Sequence, residues 1–142
     1  MAFLPRHRIV APVDFSDYSE EVVRTAMEIA GEAGTVHIVH VLPDLSPAEP
    51  GIVWGTIDDK ARIAKAREAL RARFASLPEH QVHFEVRIGD PGQEIADFAT
   101  RTHADLIVIA SHGRTGIKRL LIGSVAERVA RLAHCPVLVL RK

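Results

Sequence analysis

Residues 8–42 read RIVAPVDFSDYSEEVVRTAMEIAGEAGTVHIVHVL, and their patterning decides the fold. Arg8 to Val13 is a β-rich apolar run, and Val36 to Leu42 is a second. Between them Val22, Ala26, Ile29 and Ala33 recur at helical spacing, with Asp17 as the expected N-cap and Glu20 three residues on. Strand, amphipathic helix and strand in so short a span make one βαβ unit, whose crossover is right-handed.

The same alternation continues to the end of the chain. Further β-rich runs occupy Val82 to Ile88, Asp105 to Ala110 and Pro136 to Leu140. Ile63, Ala66, Leu70, Phe74 and Leu77 form a helical stripe that Pro78 closes. Asp90-Pro91 reads as an N-cap with a first-turn proline ahead of Ile95, Phe98 and Ala99. A last helix is expected from Ser124, with Glu127 as its capping-box partner, through Val125, Val129 and Leu132. The order β-α-β-α-β-α-β-α-β predicts an α/β fold: a doubly wound five-stranded parallel sheet, strand order 3-2-1-4-5, with helices on both faces. Residues 1–142 are expected to form a single domain without internal repeats.

Composition narrows the function classes. Lys and Arg total 18, balanced by 18 Asp and Glu, and 47 % of the 142 residues are hydrophobic, which excludes a disordered charged tail. Zero net charge argues against a dedicated nucleic-acid binder, which needs a basic surface to displace counterions. The basic run Lys60, Arg62, Lys65, Arg67, Arg71 and Arg73 reads as a solvated helix face. Cys135 is the single cysteine, so no intrachain disulfide forms, and it reads as a small hydrophobe. The opening residues lack the apolar stretch of a signal peptide and no run is long enough to cross a bilayer, so a cytoplasmic protein without membrane contact is expected.

Two strands read as sheet edges. Val82 to Ile88 strictly alternates apolar and polar residues, as a strand with one wetter face does. Val137 to Leu140 is apolar throughout, yet the expected order leaves it at the other edge, where it invites a second copy. A homodimer through Pro136, Val137, Leu138, Val139 and Leu140 is therefore expected. The stretch from Pro43 to Thr56 holds too many prolines and glycines for regular structure, and its Trp54 is expected to pack on the body of the domain.

In an open α/β sheet ligands bind beyond the carboxyl ends of the strands, where strand order reverses. The relevant exits are Pro12-Val13-Asp14-Phe15-Ser16, His40-Val41-Leu42 and Ile109-Ala110-Ser111-His112-Gly113. Gly113 and Gly123 allow positive φ and close backbone approach, and the first amides of the Ser124 helix attract anions. His112, Arg114, Lys118 and Arg119 add donors, and Asp14 offers acceptors to ribose hydroxyls or an amino group. Each feature also has a purely structural reading: Ser124 with Glu127 as a cap, Asp14 capping the first helix, Gly113 turning the chain. Neither a Walker A pattern nor G-x-G-x-x-G occurs.

Ala110-Ser111-His112-Gly113, nine residues, Gly123-Ser124, then Cys135-Pro136-Val137-Leu138-Val139-Leu140, resembles the C-terminal signature of the universal stress protein family. Ile9 to Ser16 is similar to that family's first strand and turn, and Gly89-Asp90-Pro91 to its third strand exit. The resemblance spans essentially the whole chain. It implies the adenine nucleotide alpha hydrolase-like fold, dimerisation through the last strand and, in one branch with the pattern G-x2-G-x9-G-[S/T], binding of ATP or ADP, with Mg2+ entering alongside the phosphates. Carried over, it puts Asp14 and Val41 around adenine and ribose with Pro12 and Val13, Ile109 at the base of the loop, and His112, Gly113, Gly123, Ser124 and Val125 around the phosphates. Two positions depart: Ala110 replaces the first glycine, and Val13 a hydroxyl residue of some members. If Ala110 needed positive φ, its Cβ would cost about 1 kcal/mol.

Other constellations are weaker. Ser111 and His112 are adjacent, so the imidazole does not readily reach its neighbour's hydroxyl, and no G-x-S-x-G elbow frames the serine of a hydrolase. His37 and His40 fall on opposite faces of one strand, which spoils a shared metal site. The segment around Gly113 offers no carboxylate to hold a catalytic metal, so no catalytic residue is assigned and any ATP hydrolysis or autophosphorylation is expected to be slow. The sequence thus predicts a nucleotide-binding stress-response regulator acting on an unidentified client protein. The alternative is a nucleotide-free dimeric interaction module of the same fold, which the Ala110 substitution favours.

Overall fold

In the computed structural model, residues 3–45, 58–111 and 122–141 are described. Strands β1 (Arg8–Pro12), β2 (Thr35–Leu42), β3 (Val82–Ile88), β4 (Leu106–Ala110) and β5 (Val137–Leu140) form one sheet in the order β3-β2-β1-β4-β5. Every neighbouring pair is parallel. Helices α1 (Ser19–Ala30), α2 (Asp59–Arg73), α3 (Pro91–Arg101) and α4 (Ser124–Leu132) alternate with the strands. Fold class and strand order are those the alternation predicts. The stretch after Pro43 is described only to Leu45, and Trp54 lies outside the described residues.

The strand pleat sends successive side chains to opposite faces, and each face has its own core. On one, Ile9 and Ala11 of β1, Ile38 of β2 and Val108 of β4 pack with Val22, Val23 and Ala26 of α1 and Leu70 of α2. On the other, Val10, Val39, Ile107 and Ile109 pack with Ile95, Phe98 and Ala99 of α3 and Ala126 and Val129 of α4. β1 and β4 are apolar on both faces because both faces are covered. β3 and β5 are the edges, and Leu138 on β5 remains 38 % exposed. Among the described residues, no helix is long and apolar enough to cross a membrane.

Helix boundaries differ from the expectations at three points. α1 is capped at Tyr18, not Asp17, because Asp14 and Ser16 have already organised the preceding turn with their own side chains. It stops at Ala30, where Gly31 turns the chain at a φ of 65°, so Ala33 falls beyond the helix. α2 ends at Arg73, and Phe74 and Leu77 reach the core from the turns that follow, since Pro78 disfavours a helical Leu77. α3 is capped as expected, with Asp90 accepting from the Gln93 amide at 2.9 Å and Pro91 in the first turn.

The two strand histidines occupy opposite faces. His40 meets Phe15, whereas His37 stacks on His83 of β3, with ring centroids 5.0 Å apart, and lies edge-on to Phe98. Burial, helped by the nearby charges of His83 and Arg8, pushes His37 from its ordinary value of 6.5 down to about 4. The unfolded chain therefore binds a proton between pH 6.5 and about 4 that the folded chain refuses. The contribution of neutral His37 to stability is complete above pH 6.5 and falls as acidification proceeds towards pH 4. His37→Gln should flatten that loss, measured as urea midpoints from pH 7 to 4; an unchanged slope would assign it to other groups.

Candidate functional site

Strand order reverses around β1, and the polypeptide leaves β1 through a turn held from several sides. The Val13 amide donates to the Val39 carbonyl at 2.8 Å, extending the β1–β2 pairing beyond the strand. The Val13 carbonyl lies 2.8 Å from His40 Nδ1, and because a carbonyl only accepts, Nδ1 carries the proton. Asp14 Oδ1 accepts from the Ser16 amide at 3.0 Å, and Ser16 Oγ from the Tyr18 amide at 3.3 Å. Between them Phe15 has a φ of 64°. A left-handed backbone at a residue with a Cβ costs about 1–2 kcal/mol.

The contacts around Phe15 offset that strain. Its ring lies edge-on to His40, with centroids 4.7 Å apart, and the Arg73 guanidinium sits 5.9 Å from its centre. Arg73 donates to the Ser16 carbonyl at 2.7 Å and grips the Glu20 carboxylate through two bonds of 2.6 and 2.8 Å. The end of α2 is thereby tied to the turn that carries Asp14. Hydrogen bonding from Arg73 holds the Glu20 carboxyl below its ordinary value.

On the other side of the reversal, β4 leads to the start of α4. Ala110 is extended and pairs with Leu140, so the glycine replacement carries no penalty of positive φ. The Ser111 amide donates to the Leu140 carbonyl at 2.8 Å, and the Ser111 carbonyl accepts from Gly123 at 2.6 Å. Gly123 has a φ of −63° and a ψ of 157°, which any residue adopts, so the expected positive φ is not needed there. Gly123, not Ser124, is the N-cap, and no side chain caps α4. The capping box does not form: Glu127 pairs with Arg131 one turn on. The first intrahelical bond runs from the Glu127 amide to the Gly123 carbonyl, so the amides of Ser124, Val125 and Ala126 precede it.

These two exits and the end of β2 surround a cavity of about 250 Å3. Its apolar lining comes from Pro12, Val13, Val39, Val41, Pro91, Ile95 and Ile109. Hydroxyls and backbone come from Ser16, Ser19, Ser111, Gly123, Ser124, Val125 and Ala126, and Asp14 and His40 also line the space. Nine residues expected to hold nucleotide line it: Pro12, Val13, Asp14, Val41, Ile109, Ala110, Gly123, Ser124 and Val125. His112, Gly113 and Arg114 lie outside the described residues, as do Lys118 and Arg119.

Sequence reasoning did not place Ser19, Ile95 or Pro91 at the site. Ser19 and Pro91 open their helices and Ile95 stands one turn further in, where the signals read as capping or core. The hydroxyl residues of the first helix turn could have been found by asking which helices start at the reversal point.

An open α/β sheet with a mainly apolar cavity at the carboxyl ends of its strands defines a domain of the doubly wound class. Residues 5–141 match the model of the universal stress protein family. The universal stress protein MJ0531 of Methanocaldococcus jannaschii is 40 % identical over 143 residues, covering 95 % of this chain and 82 % of the relative. The structure of universal stress protein UspA from Lactobacillus plantarum superimposes with a TM-score of 0.76 at 29 % identity, covering 95 % and 97 % of the two chains. The universal stress protein from Archaeoglobus fulgidus in complex with dAMP matches at 27 % identity and a TM-score of 0.56, over 96 % and 98 % of the chains. The chain belongs to the universal stress protein family.

The Arg73–Glu20 pair is half-exposed, which bounds its contribution. Glu20→Gln should lower stability by no more than about 1 kcal/mol at pH 7, and added salt should shrink the difference. Denaturant titrations of both proteins at low and high salt check this; a loss of several kcal/mol would mean that the pair holds more than the turn.

Proposed function

We propose that this universal stress protein binds an adenine nucleotide, ATP or ADP, in the cavity at the carboxyl ends of β1, β2 and β4. The reading rests chiefly on the mixed lining of that cavity, in which apolar side chains stand with hydroxyls and the leading amides of a helix. A nucleotide asks for the same mixture, with a flat base at one end and phosphates at the other. Pro12, Val13, Val41 and Ile109 would flank the base, and Asp14 would accept from ribose hydroxyls or the adenine amino group. The amides of Ser124, Val125 and Ala126 would face the phosphates, with Gly123 allowing close approach and Ala110 at the strand exit.

His112, Gly113 and Arg114 complete the phosphate side in this reading, by their place in the sequence between Ser111 and Gly123. Mg2+ would accompany the phosphates and shield their charge. We assign no catalytic residue: the described lining contains one carboxylate, Asp14, and its Oδ1 is engaged with the Ser16 amide. The protein acts as a cytoplasmic regulator whose nucleotide state selects a client protein, with residues 1–142 forming one domain. The extended geometry of Ala110 removes the main ground for a nucleotide-free module.

Mg-ATP at a hundred times its Kd should stabilise the fold by about 2.7 kcal/mol, seen as a raised melting temperature. Gly123→Val should abolish that shift while leaving the ligand-free melt close to wild type. A wild-type melt that ignores millimolar Mg-ATP, or a Gly123→Val protein with undiminished affinity, would overturn the reading.

The partner of β5 is proposed to be a second copy of the chain. Among the described residues only β4 pairs with β5, which leaves the other edge of β5 without a strand partner there, and Leu138 is exposed beside it. Residues Pro136 to Leu140 would form the interface. Sedimentation at micromolar concentration should give a dimer, and Leu138→Lys should shift it to monomer; a wild-type monomer would end the proposal.

A further inference from the structure

Ser19 is 2 % exposed and lines the cavity from the first turn of α1. Its hydroxyl is buried and has no hydrogen-bond partner, and among the described residues it is the only cavity-lining side chain in that condition. A buried hydroxyl without a partner is unfavourable, and natural folds retain few. α1 gains nothing from it as a cap, because its N-cap is Tyr18, and Ser19 is already the first helical residue. Alanine in its place would remove the unsatisfied group at no cost to the helix, so the hydroxyl calls for a role outside folding.

Its position indicates which part of a ligand it meets. Val22, one turn further along α1, lines both the main cavity and a smaller recess bordered by Ala110, Ser111 and Leu140. Ser19 therefore lies on the side of α1 that faces the exit of β4. The Ser111 carbonyl binds the Gly123 amide there and draws the first turn of α4 to the same wall. Val39, His40 and Val41 border the cavity from β2, across β1 from that wall. One bond, Cα–Cβ, sets the direction of the hydroxyl, so it turns towards an acceptor without any change in the backbone.

We infer that Ser19 is a ligand-binding residue whose hydroxyl donates to a phosphoryl oxygen of the bound nucleotide, supplementing the amides of α4. The contact rests on the nucleotide reading above and sharpens it: Ser19 discriminates nucleotides from nucleosides. α1 and α4, one on each face of the sheet, then hold the phosphate end between them. The acidic residues of the α1 first turn stand aside from this contact: Glu20 is paired with Arg73, and Glu21 borders the smaller recess and is not part of the main cavity's lining.

The test compares wild type and Ser19→Ala by calorimetric titration with Mg-ATP, AMP and adenosine, together with melts without ligand. Ser19→Ala should melt at or above the wild-type temperature, bind Mg-ATP and AMP about tenfold or more weakly, and bind adenosine as wild type does. Unchanged ATP affinity in the variant, beside a binding wild type, would overturn this contact and leave the nucleotide reading intact. A variant that melts several degrees lower, or fails to fold, would show that the hydroxyl has a structural partner and would equally overturn it. An equal loss for adenosine would overturn the assignment to phosphate. Wild type that binds none of the three would remove the nucleotide reading, and this contact with it.

Discussion

β1 pairs with β2 along one side and with β4 along the other, and the helices that follow β1 and β4 depart to opposite faces. Everything at the carboxyl end of the sheet depends on that divergence. Two adjacent parallel strands whose crossovers go the same way leave their loops packed together. Here α1 goes to one face and α4 to the other, so a crevice opens between them. The cavity is therefore a product of topology, and the side chains decide only what it can hold.

Those side chains are placed by backbone bonds more than by one another. The Val13 amide is fixed to Val39 and the Ser111 amide to Leu140, which carries sheet pairing past the strand ends and sets the starting points of both loops. The exception is Phe15, whose left-handed backbone is maintained by contacts from His40 and Arg73. Strain at the rim of a cavity, held there by packing from α2, is a common feature of ligand sites. It keeps Asp14 at the mouth of the crevice, not folded back as a helix cap.

Much of this was legible in the sequence. The five strands were readable from their β-branched runs, and the edge position of β3 from its strict alternation, because periodicity reports burial directly. The cavity wall was readable too, since strand exits at a reversal point follow from strand order. Helix ends were less so. Asp17 and the Ser124–Glu127 pair have the chemistry of caps, yet the N-caps are Tyr18 and Gly123, and a local pattern does not reveal which of several neighbouring residues the tertiary fold selects. The strain at Phe15 was invisible because no residue type announces it. Ser19 was overlooked for a related reason: an unsatisfied hydroxyl is a property of surroundings, not of spelling.

At the opposite end of the sheet, the Asp105 carboxylate accepts from the backbone amides of both His7 and Arg8, and its carbonyl accepts from Arg6. One residue thus moors the lead-in of β1 to the start of β4. β1 is five residues long, so this mooring stands about 17 Å from the crevice. A dye or tether joined near Arg6 would sit on the sheet's far rim, reporting on the protein while leaving any occupant of the crevice undisturbed.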